Sequence, residues 1–360
     1  MPLDHDHRLT ADEIHAVVAA WNVVIGPDSP LGGLPAPKRS VPRQELDDRG
    51  LLSGSWGRAL RVLGIPTGTV RVLQPLPDGT AFRAMYTGTG FSGLVGCWPE
   101  RDSMRIGFPY TAAGELRDAS AALTADFPAQ IDPFRAELTV PGLAALAGCV
   151  DVLRGKVLGS ILAREGHTGA TITEADLAAV YKEGMTGSDA RWVVTLLNMV
   201  MPMSAPMPAR VSADGIGELV GQRLIEPNGS GWVASPTLER LTAWLINPLP
   251  ALAHEVITTR NGAPDQYRYL IAIRGVGPLW TLAFWGGDVP TVTVQSRSGS
   301  AYRRVLASTL EPALGPVDAP PDSAADAEAD RFCARCGSEL EANDAFCSQC
   351  GSRVTPPREP

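Results

Sequence analysis

Four cysteines stand in the last thirty residues, as Cys333-Ala-Arg-Cys336-Gly337 and Cys347-Ser-Gln-Cys350-Gly351. Two Cys-x-x-Cys knuckles bring four thiolates to one tetrahedral cation, the soft-sulfur geometry that Zn²⁺ prefers. The glycine after each pair suits the tight backbone that lets amides approach the sulfurs. Four protein ligands fill the coordination sphere, whereas catalytic zinc keeps a position for water or substrate, so the expectation is one structural zinc per chain. Iron takes the same four-thiolate set, and ligand type alone leaves zinc and iron both open. A disulfide in each knuckle needs an oxidising compartment to which nothing else in the chain points. A thioredoxin-like centre uses one such pair beside a βαβ pattern, not two in a tail.

Other residues with the right chemistry lack the right company. Met199, Met201, Met203 and Met207 could hold Cu(I), but prolines 202, 206 and 208 punctuate the run, and methionine suits an adaptable apolar surface. These four are read as a candidate partner-binding loop that ends a helix over 188–200. Asp4-His5-Asp6-His7 could bind a metal weakly and is expected to be a solvated, frayed terminus. His15 and His254 fall in a helix and a strand; His167, beside Glu165, has no nucleophile near it. Gly88-Thr-Gly90-Phe-Ser-Gly93 has dinucleotide spacing but leads into a strand, so it reads as a hairpin turn. The sequence holds no Walker A loop, His-Glu-x-x-His or Gly-x-Ser-x-Gly. An enzyme would need a site assembled only in three dimensions.

The elements that must position these residues follow from pattern. With 360 residues and 44% hydrophobic content, the chain can fill two cores and carry an appendage. The polar start and the absence of a long apolar run predict a cytoplasmic protein without membrane insertion. Cys97 and Cys149, in apolar surroundings, are expected as buried thiols. Residues 316–330 hold five acids and no base, accounting for most of the net charge of −8 and leaving the body near neutral. Such a segment buries too little apolar surface to offset its ordering entropy, so 313–330 is read as a disordered linker and 331–353 as the metal module.

Within the body, Leu9-Thr10-Ala-Asp-Glu13-Ile14 returns as Ile172-Thr173-Glu-Ala-Asp176-Leu177, each with a threonine three residues before an acid, the capping-box exchange. Glu45-Leu46-Asp-Asp-Arg49-Gly50-Leu51-Leu52 returns as Glu218-Leu219-Val-Gly-Gln222-Arg223-Leu224-Ile225. Four strand-like segments and a closing helix follow in both copies: strands near 69–74, 80–87, 94–98 and 104–108, then 253–259, 266–274, 279–285 and 291–296. Pro77-Asp78-Gly79 and Asn261-Gly262 are turn signals. The expected class is therefore α+β: an internally duplicated helix, four-strand-meander, helix module with a pseudo-twofold, each meander with helices on one face. The repeats span 9–140 and 171–312. An apolar connecting helix in 141–170 is read as core, with Leu143, Leu146, Val150, Leu153, Val157, Leu158 and Ile161.

Residues 332–351, with Phe332 and Phe346 ahead of the knuckles and Leu340 between them, resemble the short zinc-ribbon family, which implies a fold rather than a function. The body resembles the EspG-type chaperones of actinobacterial type VII secretion, on the paired Leu-Thr-x-x-Glu-Ile and Ile-Thr-x-x-Asp-Leu helix starts, the Arg49-Gly-Leu-Leu boundary and the order of elements. That resemblance implies non-catalytic binding of protein partners, while the ribbon departs from the family pattern and leaves the partner's identity open. A second reading, a nucleic-acid-associated regulator, takes the wing-like order of 188–234 together with the ribbon. Charge argues against it, because Arg191, Arg210 and Arg223 are matched by Asp189, Asp214, Glu218 and Glu226, and phosphate neutralisation needs an excess of bases.

Overall fold

The computed structural model describes residues 5–76, 79–91, 93–100, 103–124, 134–164, 171–246, 251–260, 263–276, 279–285 and 290–314. The four ribbon cysteines, the acidic segment, His167 and the turn residues Pro77, Asp78, Asn261 and Gly262 lie outside them. In chain order the elements are β1 (His5–Leu9), α1 (Ala11–Ala20), α2 (Arg43–Asp48), α3 (Gly54–Gly64), β2 (Gly68–Leu76), β3 (Gly79–Thr87), β4 (Leu94–Glu100), β5 (Ser103–Tyr110) and α4 (Ala112–Thr124). There follow β6 (Arg135–Thr139), α5 (Val140–Ala163), β7 (Thr171–Thr173), α6 (Glu174–Thr186), α7 (Val193–Val200), α8 (Ala213–Gly221), β8 (Ile225–Asn228) and β9 (Gly231–Ala234). The last are α9 (Pro236–Trp244), β10 (Ala251–Arg260), β11 (Ala263–Arg274), β12 (Leu279–Trp285), β13 (Thr291–Arg297) and α10 (Gly299–Leu314).

Helices and antiparallel strands thus mix in an α+β fold. One ten-stranded sheet runs β1-β5-β4-β3-β2-β10-β11-β12-β13-β6. Outward from the central β2–β10 pair, each side lists its four meander strands in chain order and ends on a strand from before its own meander. The seam pairs Leu73 with Ala253 and Val70 with Val256. The sequence pattern leads one to expect two four-stranded sheets; the structure joins them edge to edge, which removes two of the four open edges that separate sheets would carry.

The strand period of two sorts the side chains. On one face, α1, α2 and α3 cover the first half around Trp56, Leu60 and Leu63, while α5, α7 and α9 cover the second around Leu146, Leu197 and Leu241. On the opposite face, α4 and α10 lie together over the centre, burying Leu116, Tyr302 and Leu306 against Val70, Val72, Val256 and Leu270. Helices therefore occupy both faces, not one as the pattern suggests.

The helix starts and stops matched in sequence share their geometry. Thr10 and Thr173 each form a complete capping box, with Glu13 and Asp176. At the ends of α2 and α8, Gly50 and Arg223 take positive φ (68° and 56°), and Leu51 N–H donates to Leu46 C=O at 3.0 Å as Leu224 N–H does to Leu219 C=O at 2.9 Å. Each helix end also closes a sheet edge. Arg49 donates to Arg8 C=O and Gln222 to Glu137 C=O, using up acceptors that an open edge would present to another strand.

Two expectations are corrected. The amino-terminal His-Asp-His segment is not a frayed tail from His5 on: β1 pairs with β5, Asp6 takes a bidentate contact from Arg105, and the His7 ring meets Trp56 edge-on at 5.4 Å. The helix over 141–164 is core only in its first half. Leu143, Leu146, Val150 and Leu153 are buried, whereas Leu158 and Ile161 are exposed, because α5 outruns the layer it packs against.

Candidate functional site

The methionine run lies where α7 ends over the central strands. Val200 C=O accepts the Tyr269 hydroxyl from β11, and the chain then turns through Pro202. Met199 and Met201 pack at the margin of the second-half core, Met207 is buried, and Met203 is 88% exposed. The four thioethers are thus divided between core and solvent, a distribution that fits packing with one exposed contact residue. Ser204 stands beside Tyr267, whose hydroxyl donates to Glu255 Oε1 at 3.2 Å, and Glu255 takes Arg71 Nη1 at 2.9 Å. Burial, first, and the negative Glu255 beside it push the Tyr267 phenol up to about 12, so it remains a donor at neutral pH.

Register places Phe82, opposite Leu73, on the same face of the sheet as Arg71, Glu255 and Tyr267. Phe82 is 44% and Tyr267 40% exposed. The strip they share lies between the helices of the first half and α7 of the second. It offers two aromatics, the exposed thioether of Met203 and one satisfied ion pair, the mixture that recurs at protein interfaces.

The wing-like segment has its wing. β8 and β9 form a hairpin through Gly229, and β7, which the sequence reading did not include, adds to give the order β7-β9-β8. The helix before the hairpin, however, is engaged by the body. Gly215 of α8 is so close to α5 that an added Cβ would stand 2.3 Å from Pro141 C=O, and Glu218 accepts from both N–H and Oγ1 of Thr139 at 2.8 Å.

Ionisable groups buried elsewhere are bound up in structure. Asp151, fully buried, accepts from the N–H groups of Val193 and Val194 at 3.0 and 2.8 Å, capping α7, and pairs with Arg154 at 2.6 Å. The Arg154 guanidinium also lies 4.9 Å over the Trp192 ring. Burial pushes the Asp151 carboxyl up, working against Arg154 and the two amides. On the other face, Glu115 of α4 takes Arg83 at 2.7 and 2.9 Å and stands 3.4 Å from His254 Nε2. Burial alone would raise Glu115, but the His254 ring and Arg83 outweigh it and hold the carboxyl below its ordinary range. Asp151 was readable in the sequence as the only acid in the apolar run 140–163; Glu115 and His254 meet across 139 residues, and no local signal joins them.

A cavity between α5, α7 and the sheet is lined only by apolar residues, among them Leu143, Val150, Leu197, Ile273 and Trp280. Cys97 and Cys149 are buried free thiols, both pushed up to about 12 by burial, so neither is a nucleophile or ligand as the thiolate. Among the described residues no cluster of three metal-ligating side chains occurs, and no helix is long and apolar enough to cross a membrane. The donor set of the tail is of a different order, with four thiolates in two knuckles and no carboxylate or imidazole required.

Comparison with curated protein sequences returns no match. Among solved structures, the Mycobacterium tuberculosis type VII secretion system chaperone EspG5, in complex with a PE25–PPE41 dimer, is similar at 11% identity with a TM-score of 0.43, over 85% of this chain and 96% of that one. Residues 332–354 match the zinc-ribbon domain family, a fold whose cysteines bind zinc, and the four tail cysteines all fall within the matched segment.

Proposed function

We propose that this chain is a non-enzymatic cytoplasmic adaptor or chaperone that binds other proteins through its body and carries one structural zinc at Cys333, Cys336, Cys347 and Cys350. The observation that carries the reading is the strip of Phe82, Tyr267 and Met203, exposed over the central strands between two helical layers. The apolar cavity and the structural use of the buried charges speak for binding rather than catalysis. The body is read as two copies of one module, 9–140 and 171–312, joined by 141–170 and related by a pseudo-twofold; the mirrored strand order and the matched helix caps support it.

The strip is tested with the full chain as bait from its native host, beside Phe82→Asp and Met203→Asp. A protein recovered by the wild type, lost with both variants and rebinding when purified supports the reading. Equal recovery by all three sinks it. The nucleic-acid alternative is disfavoured by the acids of α8 and by its packing on α5, and binding that weakens steeply between 50 and 200 mM salt would restore it.

A further inference from the structure

A second exposed apolar patch lies at one end of the sheet. Val24 is 68%, Ile25 40% and Ile65 56% exposed, and the three are held together by Gly26 N–H donating to Gly64 C=O at 2.8 Å. The loop cannot lift away cheaply, because Gly64 is packed so tightly under it that an added Cβ would stand 2.3 Å from Val24 C=O. Arg61, exposed on α3 one turn before Ile65, and Arg260, next to Thr259 whose hydroxyl donates to Pro66 C=O, flank the patch; Arg58 is exposed farther back on α3, its guanidinium beside Gly54. Among the described residues none of these three arginines has a carboxylate partner. The patch is thus apolar at its centre and basic at its rim, with Asp28 the one acid in the adjoining loop.

The chain leaves the described fold close by. Ala313, in the last turn of α10, touches Gly68, so that a Cβ there would stand 3.2 Å from the Ala313 Cβ. Gly68 is three residues from Ile65, at most about 11 Å of extended chain. Beyond Leu314 come the five acids and no base of 316–330, then the ribbon residues Phe332, Leu340 and Phe346. Seventeen residues separate Leu314 from Phe332, a reach of roughly 60 Å when extended, so the ribbon has access to the patch without strain.

We infer that the patch of Val24, Ile25 and Ile65 is the seat of this chain's own zinc ribbon, with the acidic segment crossing Arg61 and Arg260 on the way. The inference rests on a zinc-folded ribbon and is independent of the partner strip. Charge complementarity selects the tail over a neutral occupant, and a tether this short supplies an effective concentration on the order of 1 mM, at which an intrinsic affinity of ~0.1 mM already seats the ribbon about nine-tenths of the time. Seated, the ribbon covers the loop pair of Val24–Gly26 and Gly64–Ile65 that leads into β2.

Hydrogen exchange on the full chain tests this, with zinc content measured on the same samples. With zinc bound, amides of 21–26 and 61–67 should exchange up to ~10-fold more slowly than after chelation, independently of protein concentration, and the difference should shrink with added salt. Ile65→Glu, and Arg61→Glu with Arg260→Glu, should abolish the difference while exchange in β12 and β13 stays unchanged. No difference between zinc-loaded and chelated protein overturns the inference and leaves the ribbon standing. Protection that grows with protein concentration assigns the patch to a second copy and overturns it too. A chain that takes up no zinc overturns both the ribbon and its seat.

Discussion

At the residue scale, the body's most consequential side chain is Asp151. It answers two amides at the start of α7 and the charge of Arg154 while fully buried, so truncation leaves a buried guanidinium without its carboxylate and a helix end uncapped. Asp151→Ala is expected to cost about 3–5 kcal/mol, read as the shift of a urea midpoint at constant slope. Glu115 gives the complementary case. Its carboxyl is depressed in the fold, so its contribution is complete above the unfolded value and is lost as pH falls through the lower folded one. Urea midpoints from pH 7 to pH 3 should fall for the wild type, and Glu115→Gln should be less stable at pH 7 with a flatter acid limb. An unchanged acid limb would remove Glu115 from that account.

At the scale of elements, the ends of α2 and α8 offer a paired experiment. Glycine at position 50 holds its positive φ at no steric cost, whereas Arg223 holds nearly the same conformation at a cost of roughly 1 kcal/mol. Arg223→Gly should raise stability by up to about 1 kcal/mol and Gly50→Ala should lower it by a similar amount, both read from thermal midpoints. The two helix stops were legible because a six-residue hydrogen-bonded turn needs a leucine at each end, Leu46 with Leu51 and Leu219 with Leu224, and that spacing survives when everything between changes. The meander strands were legible for a similar local reason, the alternation of β-branched residues between turns. The joining of the two meanders was not, since Leu73 and Ala253 are ordinary sheet residues and nothing local in either says which edge it will meet. β1 escaped notice because its charges, Asp6 and Arg8, face outward to Arg105 and Glu100 on neighbouring strands. The exposed strip is a product of tertiary packing, with Phe82, Met203 and Tyr267 spread over 185 residues of chain; only the methionine run marked part of it.

At the scale of the whole molecule, the metal module and the body are expected to come apart independently. Because apparent zinc binding of about 10–16 kcal/mol is itself folding energy for such modules, chelation should unfold 331–353 and leave the far-ultraviolet signal of the body nearly intact. Metal analysis should return one zinc per chain, lost in Cys333→Ser with Cys347→Ser; a body that melts on chelation would mean that the ribbon is part of its core. The β2–β10 seam carries a different consequence, one of timing. Its two strands are separated by roughly 180 residues, so at about 5–20 residues per second a nascent chain displays the β2 edge, Thr69-Val-Arg-Val-Leu73, for on the order of 10–40 s before β10 exists to cover it. During that interval the first half is a finished sheet with an open side, and on a crowded polysome the nearest matching β10 belongs to the neighbouring chain. Exchange of halves between two copies is thus the characteristic misassembly this architecture invites, and it should appear as a stable dimer whose yield rises with the rate of expression.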